Sequence, residues 1–354
     1  MTDVPSRPLL SALVGNAGAE ALFSNEVELG ALLEAEAALA NAEARAGLIE
    51  PDAASRIDEA CRGFKADWQK LAEGLVRDGV VVPELVRQLR AAVGEPYADA
   101  VHKGATSQDI VDTALMLRLK RASSILAAEL DALTEVLRQV SARDGAMPLM
   151  AHTRMQQALA FTVSEKVRTW RQPLERQATA LRDLEPRVFA VQLGGPVGTR
   201  AEFGGKGDAV AGEMARLLGL SDAPCWHSQR DRIAEFGAWL SLTSGVIGKI
   251  GQDIALMAQN EVGQVRLTNA GGSSAMQHKS NPVAAEVLVA LARLNAGLLG
   301  TLHQALLHEN ERSGAAWTLE WLVLPQMVVA TAGGLEKART LIDGLRFRPA
   351  ADSG

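Results

Sequence analysis

Three short segments gather the residue types that handle anions and protons. Residues 271–282, GGSSAMQHKSNP, carry two serines, a lysine and an asparagine on a glycine-containing strip, while residues 102–109 read HKGATSQD and residues 152–157 read HTRMQQ. Hydroxyl and amide donors beside a cation can hold a carboxylate. A serine hydroxyl activated by such surroundings can exchange a proton with the bound molecule. Each segment also has a purely structural reading. Thr106, Ser107 and Asp109 have the pattern of a helix N-cap, with Asp112 adding acid to the first turn. His152, Arg154 and Gln156 alternate along a possible helix start, which would make them a solvated face. GGSS by itself is an ordinary linker.

The elements that would position these islands are long helices. An interior proline removes a helical hydrogen bond and clashes with the preceding turn, so proline-free runs mark where such helices can form. Three runs qualify: residues 97–147, 225–281 and 283–324. In the second, Ile233, Phe236, Leu240, Ile247, Ile250, Ile254 and Met257 recur at helical spacing, while Gly245, Gly248 and Gly251 repeat every third residue. Glycines cost helix propensity, so close helix approach is their expected use. Forty helical residues span about 60 Å, more than a compact domain needs, and such helices must bury their stripes against one another. The sequence after Pro282 is apolar nearly all round, which suits a helix surrounded by neighbours, some from other subunits. Ahead of the bundle, residues 25–46 read as an amphipathic helix ended by Gly47, and residues 51–64 as a second. The glycine-rich stretch LGGPVGTRAEFGGKGDAV, residues 193–210, lacks the GxxxxGK[ST] spacing and reads as a connection between the second and third bundle helices.

Composition narrows the function classes. Apolar residues make up 47 % but aromatics only 4 %, which favours helices over strands. The net charge of −6 is built from interspersed signs, without a basic cluster interleaved with aromatics, so no nucleic-acid partner is expected. Cys61 and Cys225 show neither disulfide-framework nor zinc spacing and fit a reducing cytoplasm. LLSALVG near the N-terminus is short for a secretion signal. The apolar window 287–307 carries Arg293, Asn295 and His303, which a bilayer span would not tolerate at its centre, so a buried helix is expected and no membrane partner.

Taken together, the islands resemble the three motif regions of the fumarase/aspartase superfamily, in the same order. GSSAMQHKSNP is similar to its GSSxMPxKxNP signature, and HKGATSQDIVDTA and HTRMQQALAFT are similar to the other two regions. SQRDRIAEF, residues 228–236, resembles a segment of adenylosuccinate lyases and their relatives, so the likeness covers nearly the whole chain. The resemblance implies an all-α fold whose long helices form a twenty-helix core in a homotetramer, with each active site built by motifs from three subunits. It implies making or breaking a C–O or C–N bond β to a carboxylate, the difficult step being removal of the α proton. It places the base at Ser274 and a carboxylate clamp at Lys279 and Asn281. Thr106 and Ser107 would add hydroxyl donors, Gln156 an amide, and His102 would line the pocket, with Ser273 and Met276 in the same substrate-binding set. Neither metal ligands nor a cofactor motif accompany these groups, so cofactor-free chemistry on a small polycarboxylate is expected.

Departures from the pattern sharpen the expectation. The superfamily's second motif commonly reads T-H-x-Q, its histidine serving a departing group, whereas this chain has Thr153-Arg154-Met155-Gln156. Arginine does not give up its proton near neutrality, but it binds a carboxylate bidentately. That favours the branch whose leaving group is an internal carboxylate, the carboxymuconate-lactonising cycloisomerases, which residues 25–54 and 308–325 also resemble. An amine-releasing lyase such as adenylosuccinate lyase is the closest alternative, and a crystallin-like structural helical protein is the non-enzyme one. Gln277 replaces the usual proline of the signature, which should loosen that turn. Three regions are expected: an N-terminal helical domain over 1–96, the long-helix bundle over 97–340, and a remnant over 341–354. Many relatives continue there into a small helical domain, shortened or truncated in this sequence.

Overall fold

The computed structural model describes residues 9–268, 271–272 and 280–348. Two short helices, α1 (Leu9–Val14) and α2 (Ala17–Ala21), precede α3 (Asn25–Arg45), whose first turn is capped by the Ser24 side chain. The helix stops where expected, with Gly47 following at φ +67°. α4 (Pro51–Arg62), α5 (Trp68–Asp78) and α6 (Val82–Val93) complete the N-terminal region. Proline occupies the first or second position of both α4 and α6, where the missing N–H costs nothing.

The bundle begins with α7 (Ser107–Asp144), 38 residues long and so about 57 Å from end to end. A hairpin of β1 (Pro148–Thr153) and β2 (Gln156–Thr162) turns the chain into α8 (Val163–Val188). α9 (Gly207–Leu218) lies against α3, and the bundle resumes with α10 (Asp231–Met257), α11 (Val283–Gln304) and α12 (Ala315–Asp343). A two-stranded ladder of β3 (Val265–Leu267) and β4 (Leu345–Phe347) closes its far end. Cross-contacts fix the directions. Ser141 meets Ser164 and Arg138 meets Glu175, so α7 and α8 are antiparallel. Glu129 meets Arg339 while Asp112 meets Trp317, so α12 runs parallel to α7.

Proline placement was an incomplete guide. α8 contains Pro173 and Pro186, and α12 contains Pro325, yet each continues through them. Each proline costs a backbone hydrogen bond, but burial of Trp170, Leu174, Leu181 and Leu184 on α8, and of Leu324, Met327 and Val328 on α12, outweighs it. Conversely, the proline-free run 283–324 is interrupted between α11 and α12. The glycine reading holds for two positions of three. A Cβ on Gly248 would collide with Ala292, and one on Gly251 would meet Ala285 O at 2.5 Å, whereas nothing lies within 4 Å of Gly245.

The expectation of a helix buried all round after Pro282 is not met within one chain. α11 buries Ala285, Val287, Leu288, Leu291, Asn295 and Leu302. Leu294, Leu306 and Leu307 on and beyond its other face are exposed. α11 and α12 are long and apolar enough to cross a membrane, but they pack in the bundle around a polar knot in which Asn295 Nδ2 donates to Ser244 Oγ at 2.7 Å and Thr331 Oγ1 at 2.9 Å.

Candidate functional site

The first island lies at the N-terminus of α7. Thr106 and Asp109 form a capping box there, Thr106 N–H donating to Asp109 Oδ2 at 2.9 Å. Asp109 is fully buried and also accepts from Gly194 N–H at 2.7 Å and Gly195 N–H at 2.9 Å, which is what the glycine-rich connection supplies. His227 Nε2 lies 2.8 Å from Asp109 Oδ1. Burial alone would lower His227, but the hydrogen bond to Asp109 and the adjacent Cys225 outweigh it and raise the imidazole to about 9. His227 is therefore an imidazolium at neutral pH, bracing the cap from beneath.

Asp112 departs from its expected role. It does not face solvent in the first turn but is completely buried, accepting from Arg230 Nη1 at 2.7 Å, Arg230 Nη2 at 3.1 Å and Trp317 Nε1 at 2.9 Å. Burial opposes its charge, yet Arg230 beside it holds the carboxyl below its ordinary value. Arg230 also grips Glu320 through Nε at 2.8 Å, tying α7, α10 and α12 together at one end. Arg312 Nη1 donates to Thr106 Oγ1 at 2.5 Å. Arg312, Gln108 and Trp317 line an open cavity of ≈ 680 Å³ beside the cap, giving this end of the bundle an exposed cation, a hydroxyl and space for an anion.

His102 sits one turn earlier, in a left-handed backbone conformation at φ +60°. Its Nδ1 is 2.7 Å from Glu36 Oε1 on α3. Ser107, the first residue of α7, is half-buried.

The second island corrects the sequence reading. His152, Arg154 and Gln156 belong to a β-hairpin, not a helix start: Thr153 pairs with Gln156, and Arg154 at φ +47° and Met155 at φ +67° form its two-residue turn. Positive φ at both central positions matches the twist of the flanking strands. Arg154 is thereby carried at the tip, with Met155 and Leu159 exposed at 76 % and 77 %. For the third island, Gly271 and Asn281 exchange backbone hydrogen bonds at 3.0 and 2.8 Å. Ser273, Ser274, Met276 and Lys279 lie outside the described residues. Asn281 adjoins the start of α11, which faces the C-terminal half of α10 through Gly251 and Ala285.

The first island does not meet the second within one chain. His102, Thr106 and Ser107 stand at the start of α7, and Arg154 and Gln156 lie beyond its other end, about 57 Å away. The Gly271–Asn281 bridge is at that same far end. Sequence reasoning missed Glu36, Arg312, and the Asp112–Arg230–Glu320 cluster. Glu36 left a signal: with Glu43 it interrupts the apolar stripe of Leu32 and Leu39, where a solvent-facing carboxylate has no place. Arg230 lies in SQRDRIAEF, but nothing in that segment discloses burial.

The lyase family matches residues 11–294. The chain belongs to this family, within the fumarase/aspartase superfamily. It is 40 % identical to a 3-carboxy-cis,cis-muconate cycloisomerase of Pseudomonas aeruginosa over 98 % of its own length and 77 % of the relative's. Its fold is similar to that of the 3-carboxy-cis,cis-muconate lactonizing enzyme of Pseudomonas putida, with a TM-score of 0.90 and 36 % identity, covering 97 % of this chain and 78 % of that one. The beta-carboxy-cis,cis-muconate cycloisomerase of Acinetobacter calcoaceticus is similar to the same extent, with a TM-score of 0.90, 33 % identity and coverages of 96 % and 78 %.

Proposed function

We propose that the chain is a 3-carboxy-cis,cis-muconate cycloisomerase, closing its substrate to 4-carboxymuconolactone in the protocatechuate branch of aromatic degradation. The observation that carries this reading is the similarity to cycloisomerases in sequence and fold over nearly the whole chain. Arg154 at a hairpin tip supports it, since a guanidinium suits a carboxylate nucleophile and could not protonate an amine. One substrate carboxylate oxygen adds across the diene, and Ser274 delivers a proton to the carbon α to another carboxylate. In ring opening Ser274 is the base. Lys279, Asn281, Thr106, Ser107, Gln156 and Arg154 share the remaining negative charge, with His102, Ser273 and Met276 lining the pocket.

The catalytic unit is a homotetramer in which each site draws its motifs from three chains. The separation of the islands along α7 supports this, as do the exposed apolar residues Met155 and Leu159 on the hairpin and Leu294 and Leu307 on and beyond α11. Residues 1–96 act as the N-terminal domain and 97–340 as the bundle, and the protein works in the cytoplasm.

The conjugated diene absorbs in the ultraviolet and the lactone does not share that band. Purified protein should abolish the absorbance of 3-carboxy-cis,cis-muconate, and no loss of absorbance would sink the assignment. Ser274→Ala should reduce turnover by at least about a thousandfold while the protein keeps its assembled size. Near-normal turnover would remove Ser274 from its role.

A further inference from the structure

Glu36 lies on α3 in the N-terminal region and is 1 % exposed. A carboxylate there needs a partner, and it has one: Oε1 is 2.7 Å from His102 Nδ1. The backbone around His102 is clamped from three sides. Arg90 Nη2 donates to Val101 O at 3.2 Å, Lys103 Nζ donates to Leu48 O at 2.9 Å, and the Phe203 ring lies against Gly104, at φ +70°. A non-glycine residue at φ +60° persists only where its surroundings over-determine it, and these contacts do so. With Nδ1 committed to Glu36, the remaining ring nitrogen, Nε2, accepts no hydrogen bond from and donates none to the described residues. The His102 side chain keeps 14 % of its surface, on the edge of the first island.

We infer that Glu36 is a positioning residue: by engaging Nδ1 it fixes the His102 ring so that Nε2, rather than Nδ1, is presented to a substrate carboxylate. This rests on the placement of His102 in the substrate pocket under the proposed function. The charged groups facing His102 are Glu36 on α3, Asp109 on α7 and Arg90 on α6. Burial lowers the imidazole's affinity for its proton and Arg90 adds to that, but Glu36 and then Asp109 outweigh them and His102 titrates above its ordinary value. Glu43, seven residues along the same helix, stays largely protonated at neutral pH because burial pushes it up to about 8, so it adds little charge of its own. When His102 loses its proton, Glu36 retains Nδ1–H, and Nε2 turns a lone pair towards the substrate. A donor to carboxylate becomes a repulsive acceptor.

The test is Glu36→Gln, with Glu36→Asp as the charge-keeping variant and His102→Asn as the reference. His102 is followed by NMR of histidine-labelled protein, its signal assigned by its absence in His102→Asn. In Glu36→Gln, His102 should titrate at lower pH and the alkaline fall of kcat/KM should move the same way. Between the pH at which His102 titrates in Glu36→Gln and that at which it titrates in the wild type, KM should rise about tenfold with kcat little changed, the loss of one charge-assisted contact. Glu36→Asp should restore part of the titration shift. A His102 titration in Glu36→Gln equal to wild type would overturn the inference. So would an unaltered pH profile in Glu36→Gln when His102→Asn changes it. If His102→Asn leaves KM and the profile as they were, His102 is not in the pocket and the inference fails with its placement. Absence of lactonisation by the wild type would count against the proposed function instead, and the titration would still decide whether Glu36 sets the His102 charge.

Discussion

Arg154 is the residue on which the leaving-group argument turns, and the hairpin explains how it can act. A guanidinium at a two-residue turn has no neighbouring wall to hold it, so it is exposed and free to enter a site formed elsewhere. Arg154→His would restore the commoner superfamily residue but lose bidentate carboxylate binding. Steady-state lactonisation should show kcat/KM down by roughly 30–100-fold, the cost of one charge-assisted pair; unchanged kinetics would detach Arg154 from the substrate. Arg154 and the cap residues Thr106 and Asp109 were legible in the sequence because their meaning lies in type and spacing. Asp112, Arg230 and Glu320 were not. They lie 118 and 90 residues apart along the chain, and only the packing of three helices makes them partners.

At the scale of elements, glycine patterning proved a better guide than proline patterning. A glycine facing another helix leaves a trace that no alternative contact can supply, whereas an interior proline can be overridden by burial along the rest of its helix. Gly251 is the sharper example: its Cα face lies against Ala285 O and Leu288 Cβ, so a methyl group must push α10 and α11 apart. Gly251→Ala should lower stability by about 1–3 kcal/mol despite alanine's higher helix propensity, measurable as a lower denaturation midpoint. A midpoint equal to or above wild type would mean that the helices have slack. The hairpin was misread because alternation over so few residues fits a strand as well as a helix start, and the positive φ at Arg154 and Met155 carries no glycine to announce it. α11 was legible in part: an all-round apolar sequence shows that a helix will be covered without showing by what, and one chain covers only one of its faces.

For the whole molecule, two buried groups make stability fall on the alkaline side. His227 binds its proton more tightly folded than unfolded, so its contribution is complete below the ordinary histidine value of 6.5 and is lost as pH rises through about 9. Glu43 has its carboxyl raised from 4.5 to about 8, first by burial and then by Glu36 against the opposing pull of Lys103. Both its oxygens are buried without a hydrogen-bond partner among the described residues. The folded state holds that proton more tightly as well, and ionising Glu43 costs stability increasingly between pH 4.5 and 8. Thermal midpoints should therefore decline from pH 6.5 to 9, and Glu43→Gln, which cannot ionise, should flatten that decline while changing little at pH 5. A parallel decline in the variant would refute the assignment to Glu43.

α7 separates His102 from Arg154 by about 57 Å, a gap no side-chain motion bridges, so under the proposed function a site that uses both takes them from different chains. Two damaged proteins can then repair one another. His102→Asn and Arg154→Ala, each impaired alone, should regain activity when mixed under conditions that exchange subunits. A site drawing the two motifs from different chains receives both intact copies in about one arrangement of four, so activity should approach a quarter of wild type. If the two residues served one site within a single chain, every mixed assembly would contain only damaged sites, and mixing would restore nothing.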